Sequence, residues 1–325
     1  MREFYFIRAD LIEPYREYCT TIGSWTEHRF SCLSSLDIYC RTNWPDAHEL
    51  TQEMIDGWCS KRPNEQINTL VARSKPIKHF LRYLRNRGRT ELKYPEVPSP
   101  RPSTYIPHSF TDEELRVFFY ACDHIEFQYQ NNRTNCQNLR LTIPVFFRLL
   151  YSSGIRTTGA RQLKRADIDL ETGVVNVKKT KGANQHYLVL HDSMRELMER
   201  YDGAISRLYP DREYFFPAQN GSFHPNYWVE RHFQKLWRQV GDSLAVPYAF
   251  RHHYAITNIN QWVNEGFDFY DKLVYLSKSM GHCELEHTKY YYSLVPVMSS
   301  ILEDLTEKSF NSIIPEVAAY EKSEK

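Results

Sequence analysis

The second half of this 325-residue chain carries five side chains that can do chemistry: Arg156 in "SSGIRTT", Lys181 in "KKTKGAN", Arg251 in "YAFRHH", His282 in "SMGH" and Tyr291 in "HTKYYYSLV". A guanidinium fork binds oxyanions, an amine or imidazole moves protons, and a phenol can form a covalent ester. Each also has a plainer use. Arg156 could end a helix or sit at the surface, and Lys181 could simply be solvated in a polar turn. His282, after Gly281, could complement a helix C-terminus. Arg251 stands beside His252 and His253, so it could pair in a core, or the histidines could bind metal. Tyr290, Tyr291 and Tyr292 are three of 23 tyrosines. On a helix, neighbours diverge by about 100°, so at most one of the three faces a given site.

The elements that would position these groups are mostly helices. "GVVNV" and "HYLVL" are short β-rich runs around "KKTKGAN", which places Lys181 at or near the tip of a hairpin. Helical patterns precede it in "TIPVFFRLLYSSG" and follow it in "SMRELMERYDGAISRLY", "YWVERHFQKLWRQVG", "FRHHYAITNINQWVNEG", "DFYDKLVYLSKSMG" and "LEHTKYYYSLV". Thr111 and Glu114 have the spacing of a capping box. Upstream, Ser24 is placed to cap "TEHRFSCLSSLDIYCR", Thr51 precedes "QEMIDGWC", and Pro76 marks a kink or a fresh start. The expected fold class is mostly α with a small antiparallel β-sheet.

Five prolines within residues 93–107 favour extended chain and mark a domain boundary. The reading is a helical domain over 1–92, a Pro-rich linker over 93–107, a second domain over 108–302 and a C-terminal tail over 303–325. An apolar fraction of 42% is enough for two cores. The opening residues are charged throughout, unlike a secretory signal, and no apolar run is long enough to span a membrane. Seven scattered cysteines without a C-x-x-C pair fit reduced thiols. A soluble, cytoplasmic protein is expected. Its net charge of +1 hides a local excess, because residues 73–89 hold seven Lys or Arg and no acid. There Ile77, Phe80, Leu81 and Leu84 form one helical stripe, while Lys78, Arg82, Arg85 and Arg89 form another. One face can pack; the other can meet phosphates or only water.

Taken together and in order, these segments resemble the tyrosine recombinases of the phage-integrase type. "LLYSSGIRTTGARQLKRADIDL" is similar to that family's first arginine box, "KTKGANQHYLVL" to its lysine hairpin, "YAFRHHYA" to its H-x-x-R box, and "MGHCELEHTKYY" to its Gly-His followed by the nucleophile. The resemblance spans about 108 to 300; the preceding bundle and linker look like the family's core-binding domain and joint. In that family the nucleophile lies nine residues after the histidine, often with threonine three before it, which selects Tyr291 and Thr288.

The resemblance implies DNA strand exchange that conserves bond energy in a 3′-phosphotyrosyl link to Tyr291. Arg156 and Arg251 would hold the non-bridging oxygens, Lys181 would protonate the leaving 5′-oxygen, and His282 would bind the phosphate or manage the tyrosine proton. No metal and no other cofactor is expected. The implied partners are double-stranded DNA at attachment or transposon ends, further copies of the chain in a tetramer on two duplexes, and an excision factor. A mobile-element role and association with the nucleoid go with these. The tail would dock on a neighbouring protomer or on its own domain, and Lys78, Arg82, Arg85 and Arg89 would contact DNA backbone. Two positions depart from the family. Tyr248 stands where His or Lys is usual, three before Arg251; it is counted with the catalytic residues because its hydroxyl can donate to the phosphate, although it is a poor proton shuttle at neutral pH. Gly159 stands where a carboxylate is usual, three after Arg156. Three other readings stay open: a type IB topoisomerase-like relaxation enzyme, a DNA-binding accessory protein with a decayed site, and a metal site of His252, His253, His282 and His287.

Overall fold

The structure, a computed structural model, describes residues 4–7, 9–101, 107–126, 133–178, 185–262, 268–282, 286–289 and 291. They divide into two compact units, Met1–Tyr105 and Ile106–Lys325.

The first unit is built from α1 (Ala9–Thr21), α2 (Glu27–Asn43), α3 (Gln52–Cys59) and α4 (Ile67–Arg85). The cap of α2 is Thr26, whose hydroxyl accepts from the Arg29 N–H, and not Ser24, whose hydroxyl turns back to the Cys19 carbonyl. Thr51 caps α3 in the same way as Thr26 caps α2. Pro76 neither breaks nor restarts α4, which runs through it for 19 residues. Proline lacks the N–H that would reach the Ala72 carbonyl, but Pro76 is buried, and Ile77, Phe80, Leu81 and Leu84 pack beside it on Tyr15, Leu33 and Leu36. Packing outweighs one lost hydrogen bond. Buried Asp37 on α2 accepts the N–H groups of Tyr5, Phe6 and Ile7 at 2.7–2.9 Å, which ties the N-terminal segment to the bundle.

The second unit opens with α5 (Asp112–Asp123), whose capping box pairs Thr111 with Glu114 as the spacing predicts. Next come α6 (Arg133–Ser153), α7 (Thr157–Arg161), and the strands β1 (Ile168–Asp169), β2 (Val174–Val177) and β3 (His186–Val189). The sheet is antiparallel in the order β1-β2-β3, with Val175 opposite Leu188 and Val177 opposite His186. Val175, Val177, His186 and Leu188 face inward by the period-two rule and are buried. Helices α8 (Asp192–Ser206), α9 (Asn226–Trp237), α10 (Ala249–Gln261), α11 (Asp268–Ser279) and α12 (Glu286–Lys289) complete the unit. Fully buried rings, among them Phe118, Phe147, Phe233 and Phe250, join α5, α6, α9 and α10 into one core. The fold is mostly α with one small antiparallel sheet. Among the described residues, no helix is long and apolar enough to cross a membrane.

Candidate active site

The site forms where three chain turns meet, and two of the turns depend on glycine. Helix α11 ends in a Schellman motif: the Gly281 N–H donates to Lys278 O, the His282 N–H donates to Ser277 O, and Gly281 takes φ +64°. That backbone region suits glycine, and a Cβ there would stand 2.5 Å from the His186 ring. The Gly-His pair thus stops the helix and aims the next side chain. At the end of α6, Gly154 takes φ +61°, and a Cβ would meet the Tyr254 ring at 2.4 Å.

Both arginines reach the α11 turn. Arg156, half-buried at the start of α7, donates through Nη1 to the Met280 and Gly281 carbonyls at 3.1 Å each, and through Nη2 to Gly281 at 3.1 Å. Arg251, on the first turn of α10 and only 2% exposed, donates to Gly154 O at 2.6 Å, to Met280 O at 2.7 Å and to His282 Nε2 at 2.9 Å. Unpaired carbonyls at a helix C-terminus carry partial negative charge, so two guanidiniums neutralise them well. A buried charge is tolerable only with such partners.

His282 is fixed at both ring nitrogens. Arg251 can only donate, so Nε2 must be the acceptor and Nδ1 must carry the proton, which goes to Thr288 Oγ1 at 2.6 Å. Burial, then the charges of Arg251 and Arg156, push the imidazole down to about 3, so it is neutral near pH 7. Thr288 is fully buried on α12. Tyr291 follows, 3% exposed, packed with Ala255, Ile259, Leu276 and Met280. Its ring lies parallel to His282 at 6.3 Å and tilted to His252 at 5.5 Å. Burial pushes the phenol up to about 12, against the charge and hydrogen bond of Arg251, which hold it down. At pH 7 only about one molecule in 10⁵ would hold the phenolate, so a reaction at this oxygen needs its proton removed as the new bond forms.

The fold therefore brings together Arg156, Arg251, His282 and Tyr291. Tyr248 lies at the N-cap of α10, 44% exposed, with its ring edge-on to His252 at 5.1 Å. Lys181, Tyr290, Tyr292 and the tail 303–325 lie outside the described residues. His253 turns away from His252, stacking on Tyr151 and meeting Phe110, so adjacent histidines diverge on the helix. Among the described residues, no three His, Cys, Asp or Glu side chains group closely enough to hold a metal ion.

Gly159 has a steric reason. Helix α7 lies against β2, and a Cβ at 159 would come within 3.1 Å of Val177 Cγ1 and 3.4 Å of Ile155 Cγ1. A carboxylate at that place would have to displace the strand's side chain. An acid that sequence reasoning passed over stands nearby: Asp167, buried before β1, pairs with Lys178 at the end of β2. Strand alternation gives no signal for it, since Asp167 and Asp169 in "RADID" stand two apart; the 3-10 turn Arg165–Asp167 buries the first while the second is exposed on β1.

In the first unit, Arg82 and Arg85 are exposed on α4, and Lys78 reaches over the Tyr94 ring at 5.7 Å. Arg89 is ion-paired with Asp10 at 2.6 Å. Arg73, part of the same basic run, is buried and pairs with Glu65 at 2.6 Å.

Comparison with known proteins gives a consistent result. Residues 122–296 match the phage integrase family. The tyrosine recombinase XerC of Chlamydia caviae is 25% identical over 232 residues, which is 70% of this chain and 68% of that protein. The XerC of Bacillus pumilus is 24% identical over 284 residues, 83% of this chain and 85% of that one. Among solved structures, the XerH site-specific recombinase in a post-cleavage complex with palindromic difH substrate superposes with a TM-score of 0.60 at 16% identity, covering 92% of this chain and 84% of XerH.

Proposed function

Because this chain belongs to the phage integrase family of tyrosine recombinases, we propose that it cuts and rejoins double-stranded DNA at a specific site through a 3′-phosphotyrosyl bond to Tyr291. One observation carries this reading: the single described tyrosine of the triplet is held against Arg251 and His282, within reach of the guanidinium pair. On DNA, Arg156 and Arg251 present forked donors to the two non-bridging oxygens of the scissile phosphate, where charge concentrates during attack. Carbonyl oxygens occupy those donors in the free protein, so both arginines are already aimed by a rigid turn. Tyr291 O forms the bond to phosphorus, and the bond to the 5′-oxygen breaks. Lys181 supplies the proton to that oxygen, giving a 5′-hydroxyl. The 5′-hydroxyl of the partner strand then reverses the reaction. No nucleotide is consumed, because the ester keeps the bond energy.

The helical first unit binds DNA backbone through Lys78, Arg82 and Arg85, and Arg89 joins them only by leaving Asp10. Strand exchange between two duplexes takes four protomers. The biological setting proposed is a mobile element that the protein integrates or excises, with an excision factor setting direction. Duplexes selected by the protein from a randomised pool define its site. A match between that site and the ends of the element carrying its gene supports the mobile-element role, and a match to a chromosomal dimer-resolution site replaces it. Two labelled duplexes bearing the site should exchange strands in a chelator without added nucleotide, and Tyr291→Phe should abolish exchange. Relaxation of supercoils without exchange would instead indicate a topoisomerase-like enzyme.

A further inference from the structure

Tyr291 has an imidazole on two sides, and they are not equivalent. His282 lies parallel to the phenol ring, but its Nε2 accepts from Arg251 and its Nδ1 donates to Thr288. It cannot take a proton from the phenol without breaking one of those bonds. His252 comes from α10, four residues after Tyr248, and one helical turn stacks the two on the same face. Its ring meets Tyr248 edge-on at 5.1 Å and Tyr291 at 5.5 Å. Tyr248, at the first position of the H-x-x-R box, is a poor proton acceptor at neutral pH. An imidazole is nevertheless present one turn further on, beside the nucleophile.

We propose that His252 is a catalytic residue of this protein, the base that takes the Tyr291 phenol proton as its oxygen attacks phosphorus. This rests on the recombinase reading above. The bond from Tyr291 O to phosphorus forms, the bond to the 5′-oxygen breaks, the phenol proton passes to His252, and Lys181 protonates the 5′-oxygen. On rejoining, the imidazolium returns its proton to the phenolate leaving group. Burial, then the charge of Arg251, hold His252 down to about 4, so near pH 7 it is neutral but a weakened base. Among the groups that face it are Arg251, Tyr248 and Tyr291. A scissile phosphate gripped by the arginines adds negative charge that offsets Arg251 and strengthens the base at the moment of attack.

The test uses the full chain on a nicked suicide duplex built on its selected site, made with the ordinary 5′-bridging oxygen and again with a 5′-bridging sulfur. Sulfur leaves without a proton, so it rescues loss of the acid but not loss of the base. His252→Gln and His252→Asn should each cleave about 100-fold more slowly on both duplexes while binding them normally. Lys181→Ala should recover on the sulfur duplex alone. Cleavage by His252→Gln within about threefold of the parent, or its rescue by sulfur, would overturn the proposal. The unaltered protein gives a second check that needs no variant: on the sulfur duplex a solvent deuterium effect of about two should persist, and its disappearance would remove any base at Tyr291. If the parent forms no adduct at all, the recombinase reading fails; if it forms one and His252 is dispensable, only this inference does.

Discussion

The two units use cationic side chains in opposite ways. In the first, Arg82 and Arg85 stand exposed along α4, opposite a stripe of buried aliphatic and aromatic residues. In the second, Arg251 is buried and Arg156 half-buried, and both are hydrogen bonded to the turn that ends α11. A mobile surface charge can follow any phosphate along a duplex, so it adds affinity and salt dependence. A guanidinium held in a turn can address one phosphate only, so it adds rate. The cost of burying the charge is met by carbonyls in the free protein.

The largest effect should come from the buried charge. Arg251→Ala is expected to slow covalent adduct formation by about 10²–10³-fold and to destabilise the second unit by about 3 kcal/mol, because the Gly154 carbonyl and His282 Nε2 lose their donor and the Met280 carbonyl keeps only Arg156. Single-turnover cleavage and denaturant unfolding measure the two. Arg156→Ala should match the rate loss with a smaller stability loss, since it is only half-buried. Equal stability losses would erase the distinction between the arginines.

The surface set should behave differently. Replacing Lys78, Arg82 and Arg85 together with Ala should reduce the slope of log affinity against log salt by about 2.7, at about 0.9 per phosphate contact, and leave cleavage at saturating DNA unchanged. Arg89→Ala should change the slope less, because Asp10 already holds that side chain. A slope left unaltered by the triple replacement would remove α4 from the DNA interface.

Acid should separate the units as well. His224 and His252 are buried in the second unit and are held down to about 3 and about 4, chiefly by burial. Their folded pKa lies below the unfolded one, so the unfolded chain binds more protons. Stability is lost as pH falls below about 6.5, by roughly 1 kcal/mol per unit for each histidine, until the folded value is reached. In the first unit, hydrogen bonding to Arg73 holds Glu65 down to about 2, so that contribution fades only below about 4.5. His79 shifts in the histidines' direction there, but it is only half-buried. Hydrogen exchange between pH 7 and 5 should therefore open the second unit first; simultaneous opening would contradict the contrast.

The sequence carried local rules well and distant partnerships poorly. The capping box of Thr111 and Glu114, the apolar stripe of α4 and the alternation in β2 and β3 are each set within a few residues, and each is present. The cap of α2 moved from Ser24 to Thr26 because both can accept an N–H and only the start of the helix decides between them. Pro76 suggested a break that burial of its neighbours overrode. Arg73 read as one more member of a basic run, whereas its partners are Glu65 and the carbonyls of Trp58 and Ser60. In the site, the order of Arg156, Arg251, His282 and Tyr291 was legible, but what holds the arginines was not, since backbone carbonyls have no sequence signature. Asp167 with Lys178, and His252 beside Tyr291, emerge only once the strands and α10 are folded.

The most direct test of the account is to trap the covalent intermediate. The protein is incubated in a chelator with a nicked suicide duplex carrying its selected site, and the denaturant-resistant adduct is mapped by peptide mass. The expected result is DNA joined through a 3′-phosphate to Tyr291 and no adduct with Tyr291→Phe. Tight binding to the same duplex without any adduct, or an adduct that survives Tyr291→Phe, would contradict it.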